Sequence, residues 1–166
     1  AVGTNAVVWT VTDVHGNSAL CTQQVIVVDN QAPTITCPAP VTVNADLGQC
    51  SATNVVLGTP TTADNCAVGT TVNNGSGTYP VGTNDVLWTV TDVHGNSALC
   101  TQQVIVVDNQ NPTISCPAPV TVNADLGQCS ATNVVLGTPT TADNCAVSTT
   151  VNNGSEPYAV GTNAVS

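Results

Sequence analysis

The 166-residue chain contains no Lys and no Arg, against nine Asp and one Glu, giving a formal charge of −10. Without a cationic side chain it cannot neutralise phosphates, which excludes nucleic acid and anionic membrane surfaces as electrostatic partners. No Lys or Arg salt bridge can form either, so metal cations are the natural counter-ions. Phe and Met are absent, and only two Trp and two Tyr occur. A core must therefore be built from Val, Ile, Leu and Ala, whose small area gives a domain of this size limited stability. No run approaches the ~20 apolar residues of a spanning helix, and no signal peptide opens the sequence. A chain of this kind that starts in mid-repeat is read as a window on a longer one.

The repeat dominates what is present. Trp9 to Gln31 recurs letter for letter from Trp88 to Gln110, a period of 79 residues, and 87 comparable pairs differ at only 11 positions. Cys21, Cys37, Cys50 and Cys66 return as Cys100, Cys116, Cys129 and Cys145. A fixed period of this length implies an array of small domains. The expected divisions are 1–29 as the C-terminal strands of one repeat, 30–108 as a complete repeat, and 109–166 as the N-terminal part of the next. The short polar run Asp108 to Asn111 before Pro112 marks the boundary. So brief a linker favours a rod over beads on a flexible string.

Helical periodicity is missing, whereas Val and Thr alternate. Val86, Trp88 and Val90 share one face of a period-two run, which points Trp88 into a core. Further β-rich runs lie at 34–37, 41–45, 51–57, 68–73 and 97–107, separated by turn residues. Val104 to Val107, apolar on both faces, is expected to be largely covered at its C-terminal end. Asn74-Gly75 has the chemistry of a tight hairpin, and His94-Gly95-Asn96 that of a turn with Gly95 left-handed. Six or seven short strands per repeat predict an all-β fold of tandem antiparallel sandwiches.

Four Cys per short, polar repeat read as a disulfide framework and an oxidising, extracellular compartment. No CxxC pair occurs, and no His lies at ligand spacing from a Cys, which argues against zinc. His15 and His94 occupy equivalent turns with no recurrent nucleophile or acid beside them, so no enzyme is expected.

The motifs ITCP at 35–38, GQC at 48–50, DNC at 64–66, YPVGT at 79–83 and WTVTDxxGNxAxC at 88–100 resemble, in order and spacing, the hyalin repeat or HYR domain. The tandem copies are similar to repeats of giant secreted surface adhesins of gliding Bacteroidetes. The resemblance implies immunoglobulin-like sandwiches serving as extracellular adhesion modules. Their first and last strands would lie side by side, pairing Cys37 with Cys100 and leaving Cys50 for Cys66, and likewise Cys129 for Cys145. Cys50 with Cys66 requires the chain to double back through Thr59–Asp64. A bridge from Cys100 to Cys116 is rejected, because eight residues of strand put Cys100 about 27 Å from the boundary.

In such a sandwich Asp29, Asn30, Asp64, Asn65, Asp92 and Asn96 would converge at one repeat junction, and Asp108 and Asp143 at the next. Oxygen-rich sets of this kind suit Ca²⁺. The competing account is that these Asp side chains simply cap turns. The expected function is a structural segment of a long extracellular adhesin or surface filament. Its partners would be neighbouring repeats of the same chain and identical chains in a filament, with any surface or glycan ligand unspecified. The rivals are a lectin-like module, for which only Tyr79 and Tyr158 remain as platforms, and a laterally associating fibre or sheath with unprotected valine-rich edges.

Overall fold

A computed structural model describes residues 1–166 and contains strands, turns and loops but no helix. In chain order the strands are β1 (Gly3–Thr12), β2 (Ser18–Val27), β3 (Thr34–Thr36), β4 (Val41–Asn44), β5 (Ser51–Thr53), β6 (Thr61–Ala63) and β7 (Val68–Asn73). They continue with β8 (Thr78–Pro80), β9 (Gly82–Asp92), β10 (Ser97–Val107), β11 (Thr113–Ser115), β12 (Ser130–Ala131), β13 (Thr140–Ala142) and β14 (Tyr158–Ala159). The fold is all-β and of sandwich type, as the alternation of Val and Thr predicts. One sheet has four strands in the order β4-β10-β9-β7, and β3-β6 and β5-β8 are short antiparallel pairs.

The chain divides into two compact units. The first comprises Ala1–Val41, Val56–Gly77 and Thr83–Val104, and the second Thr42–Val55, Thr78–Gly82 and Ile105–Ser166. In the first, the inward positions of β9 and β10 bury Val86, Trp88, Val90 and Val104, together with the polar Gln102 and Asp92. In the second, Ala45, Ala52, Tyr79, Val106 and Ala131 are buried.

Three local expectations are corrected. The run 51–57 stops at Thr53, because Asn54 turns left-handed at φ 55° and breaks the extended ladder. Asn74-Gly75 does not close a hairpin. β7 pairs with β9, and the chain between them detours through β8, which pairs with β5. Asn73 Oδ1 accepts the Gly75 N–H at 3.0 Å and supplies the turn. The apolar run at the end of β10 is covered unevenly: Val104 and Val106 are buried and Ile105 is half-buried, but the terminal Val107 is 42% exposed.

The incomplete repeats separate local from long-range pairing. β1 and β2 form the same hairpin as β9 and β10, from Gly3 opposite Val27 to Thr12 opposite Ser18. Yet Trp9 is 58% exposed where Trp88 is 6% exposed, since no counterparts of β4 and β7 flank the first hairpin. At the other end, β11-β13 and β12-β14 repeat the β3-β6 and β5-β8 pairings. The counterparts of β4 and β7, at 120–123 and 147–152, form no strands, and no equivalent of the β9-β10 hairpin flanks them.

Gln102 ties these segments together. Its buried amide donates to Ala39 O at 2.8 Å and Leu57 O at 2.7 Å, while its oxygen accepts the Trp88 indole N–H at 3.1 Å. Removing the amide leaves one buried and two part-buried partners unsatisfied, at about 1–3 kcal/mol for the buried one and less for the others. Gln102→Leu is therefore expected to destabilise the repeat by a few kcal/mol in denaturant titration, whereas exposed Gln103→Leu changes it little.

Candidate functional site

Lacking Lys and Arg, the protein satisfies its carboxylates with N–H and O–H donors. Asp92, ending β9, is 4% exposed. Its Oδ1 accepts the backbone N–H groups of His94 and Asn96, both at 2.8 Å, and Oδ2 accepts Asn96 Nδ2 at 2.7 Å. Gly95 takes φ 97° at this turn, as its sequence position implies. Asp64 Oδ2 accepts Cys66 N at 2.8 Å and Ala67 N at 3.0 Å. Asp29 Oδ1 accepts Gln31 N at 3.1 Å and Asn65 Nδ2 at 3.4 Å. Turn capping is thus a real role of these residues, and for Asp92 the local sequence D-x-x-G-N dictates it.

Capping leaves oxygen atoms over. One carboxylate oxygen from each of Asp29, Asp64 and Asp92 lies within 4.8 Å of the others. The Asp29 side chain is only 2% exposed. Asp29 Oδ2 and Asp64 Oδ1 are buried without a hydrogen-bond donor, although His94 Nδ1 stands 3.2 Å from Asp29 Oδ2. Asn96 Nδ2 also reaches the Asp29 backbone oxygen at 3.3 Å. The structure therefore gathers Asp29, Asp64, Asn65, Asp92 and Asn96, while no side-chain hydrogen bond ties Asn30 to them.

One period on, Asn144 Nδ2 donates to Asp108 Oδ1 at 3.2 Å and to Gln49 O at 2.8 Å. Asp143 Oδ2 accepts Cys145 N at 2.9 Å and Ala146 N at 3.1 Å, as Asp64 does for its neighbours. Gln110, which the sequence did not single out, binds the boundary to the loop before β5. Its Nε2 donates to Asp46 O at 3.1 Å and its Oε1 accepts Gly48 N at 2.7 Å.

The cysteines pair differently from the sequence expectation. Cys37 and Cys100 are bridged, with Cα atoms 5.8 Å apart. Cys50 is bonded to Cys145, 95 residues away, and not to Cys66. Cys66 remains a thiol, as do Cys21, Cys116 and Cys129. The expected pairs Cys50–Cys66 and Cys129–Cys145 are therefore corrected. The chain does return through β6, but β6 pairs with β3, which gives Cys50 no reason to meet Cys66. Instead the Asn144 contact with Gln49 O sets Cys145 beside Cys50. Spacing carried no signal for a bond of this reach.

Two electrostatic consequences follow. A hydrogen bond to Asp29, burial, and the charges of Asp29, Asp64 and Asp92 push the Cys66 thiol up to about 11. With its thiolate scarcer but more nucleophilic, it should be alkylated by iodoacetamide at pH 8 roughly tenfold more slowly than an unperturbed cysteine, as read by mass spectrometry. For Asp92, burial pushes the carboxyl up, but the Asn96, His94 and Gly95 donors outweigh it and hold it below the usual range. Its contribution is present at neutral pH and lost as pH falls through that lowered value. Asp92→Asn is therefore expected to melt below the native protein at pH 7, the gap closing in strong acid.

Small antiparallel β units in tandem, with four cysteines per period and carboxylate-lined turns, define a class of disulfide-stapled repeat modules. Residues 28–106 match the HYR domain model. Two proteins named hyalin, from Strongylocentrotus purpuratus and Lytechinus variegatus, are each 33% identical to it over 166 residues. The alignments cover 94% of this chain but only 14% and 31% of those proteins. The chain spans less than a third of either relative.

Proposed function

We propose that the chain is a structural segment of a secreted or cell-surface adhesin, in which HYR repeats form a stiff array that carries binding surfaces outward. The observation that carries this is the boundary between repeats. Asp108 to Pro112 is short, and its side chains are held on both sides: Gln110 by Asp46 and Gly48, and Asp108 by Asn144. A linker whose polar groups are fixed by neighbouring loops has little freedom to swing. The disulfides belong with an oxidising compartment, and kinship with hyalin supports an extracellular, adhesion-type module. A non-enzymatic role is in keeping with carboxylates consumed in turn capping. A lectin-like role finds less support, because Tyr79 is 5% exposed and Trp88 is 6% exposed, leaving no aromatic platform in the complete repeat.

Within this reading Ca²⁺ occupies the Asp29, Asp64 and Asp92 cluster and stiffens each junction. Three carboxylates, with Asp64 Oδ1 buried and without a donor, fit a hard cation that takes six to eight oxygens, with backbone and water supplying the rest. The alternative of lateral association has one supporting feature: edge strand β7 carries no charged residue and leaves Val72 58% exposed.

Small-angle scattering on arrays of two, four and six repeats tests stiffness. The radius of gyration is expected to grow in proportion to repeat number and not to change with concentration; growth near the square root of repeat number would defeat the rod, and concentration dependence would favour the fibre. Calorimetry at millimolar Ca²⁺ is expected to show binding and a raised melting temperature, both lost in Asp64→Asn.

A further inference from the structure

The two bridges obey one arithmetic. Cys37–Cys100 closes 63 residues and Cys50–Cys145 closes 95. The second exceeds the 79-residue period by 16, the spacing of Cys50 from Cys66, because Cys145 is the period equivalent of Cys66. The bond therefore runs from one repeat to the next, while Cys37–Cys100 stays within a repeat.

Shifting both bonds by one period accounts for every remaining cysteine. Cys66 takes the role of Cys145 toward the preceding repeat, and Cys129 takes the role of Cys50 toward the following one. Cys21 and Cys116 are the halves of intra-repeat bridges whose other halves lie outside residues 1–166. The four free thiols are the four whose period-related partners are not in the chain, and all four are exposed.

We propose that successive repeats are joined by two independent covalent connections, the peptide backbone and a Cys50–Cys145-type bridge, so that the array survives cleavage of any single peptide bond. The loops closed by the two bridges overlap, and every bond between Cys37 and Cys145 lies inside at least one. Repetition extends this cover along the array. Cys66 and Cys129 are thus attachment sites, and their partner is a cysteine of a neighbouring HYR repeat. To form each bridge, two thiols release two protons and pass two electrons to a protein-disulfide donor, which leaves as a dithiol. For an extracellular structural chain the benefit is tolerance of proteolysis: a nick opens a loop without releasing a fragment. The inference holds whether or not the array is stiff.

The native chain has no tryptic site, since it has no Lys or Arg. Asn109→Arg places a single site in the exposed linker. The variant is denatured in urea with its free thiols alkylated, then digested, so access to the site does not limit cleavage. The expected product without reductant is one species, which separates into residues 1–109 and 110–166 only on reduction. Adding Cys50→Ala should release both pieces without reductant. Two pieces from the single variant before reduction would overturn the proposal. In longer arrays the count of alkylatable thiols should stay at four however many periods are added, while a count that rises with each period would also overturn it.

Discussion

The complete repeat depends on one buried amide. Gln102 holds the Trp88 indole with its oxygen and the carbonyls of Ala39 and Leu57 with its nitrogen, so a single side chain joins β9, β10 and two loops. In a core of valines and alanines with only two large aromatic residues, Tyr79 and Trp88, shape alone specifies the packing weakly. A fully satisfied polar group supplies direction that small apolar side chains cannot, because leaving any of its partners unpaired in the interior is costly. The same Trp–Gln pair exists in the first hairpin, where Trp9 Nε1 reaches Gln23 Oε1 at 2.9 Å. There the indole remains exposed. The pair is thus local to the hairpin, and only the carbonyls of the flanking loops convert it into a core.

A second constraint comes from the missing cations. Each acidic side chain that is partly covered has to find N–H or O–H donors, and it finds them in turns. Asp46 takes the amide and hydroxyl of Thr53, and Asp125 repeats this with Thr132. Asp13 repeats the Asp92 turn. The carboxylates therefore act first as loop fasteners. Where three of them meet, at Asp29, Asp64 and Asp92, donors run out, and that shortage distinguishes this cluster from the others. Covalent bonds supply what salt bridges cannot. On a chain-entropy account the 63- and 95-residue loops are worth about 4 and 5 kcal/mol, comparable to the whole stability of a small domain.

What the sequence determined by itself was whatever depends on near neighbours or on strict periodicity. The period of 79, the inward face of Val86, Trp88 and Val90, the left-handed Gly95, and the likeness of one period to the HYR domain all follow from residues read in order. Asp92 and Asn96 could be placed in one turn for the same reason. The tertiary structure alone decided which distant segments meet. Asn74-Gly75 has hairpin chemistry, yet β8 is drawn away to β5, because pairing is won by whichever strand offers a buried partner. Cys50 had a candidate 16 residues away and bonds instead to one 95 residues away, since the Asn144 contact with Gln49 brings Cys145 to it. A disulfide needs Cα atoms within a few ångströms, and that proximity is set by the packing of one repeat's loops against the next, which no spacing of cysteines along a chain encodes.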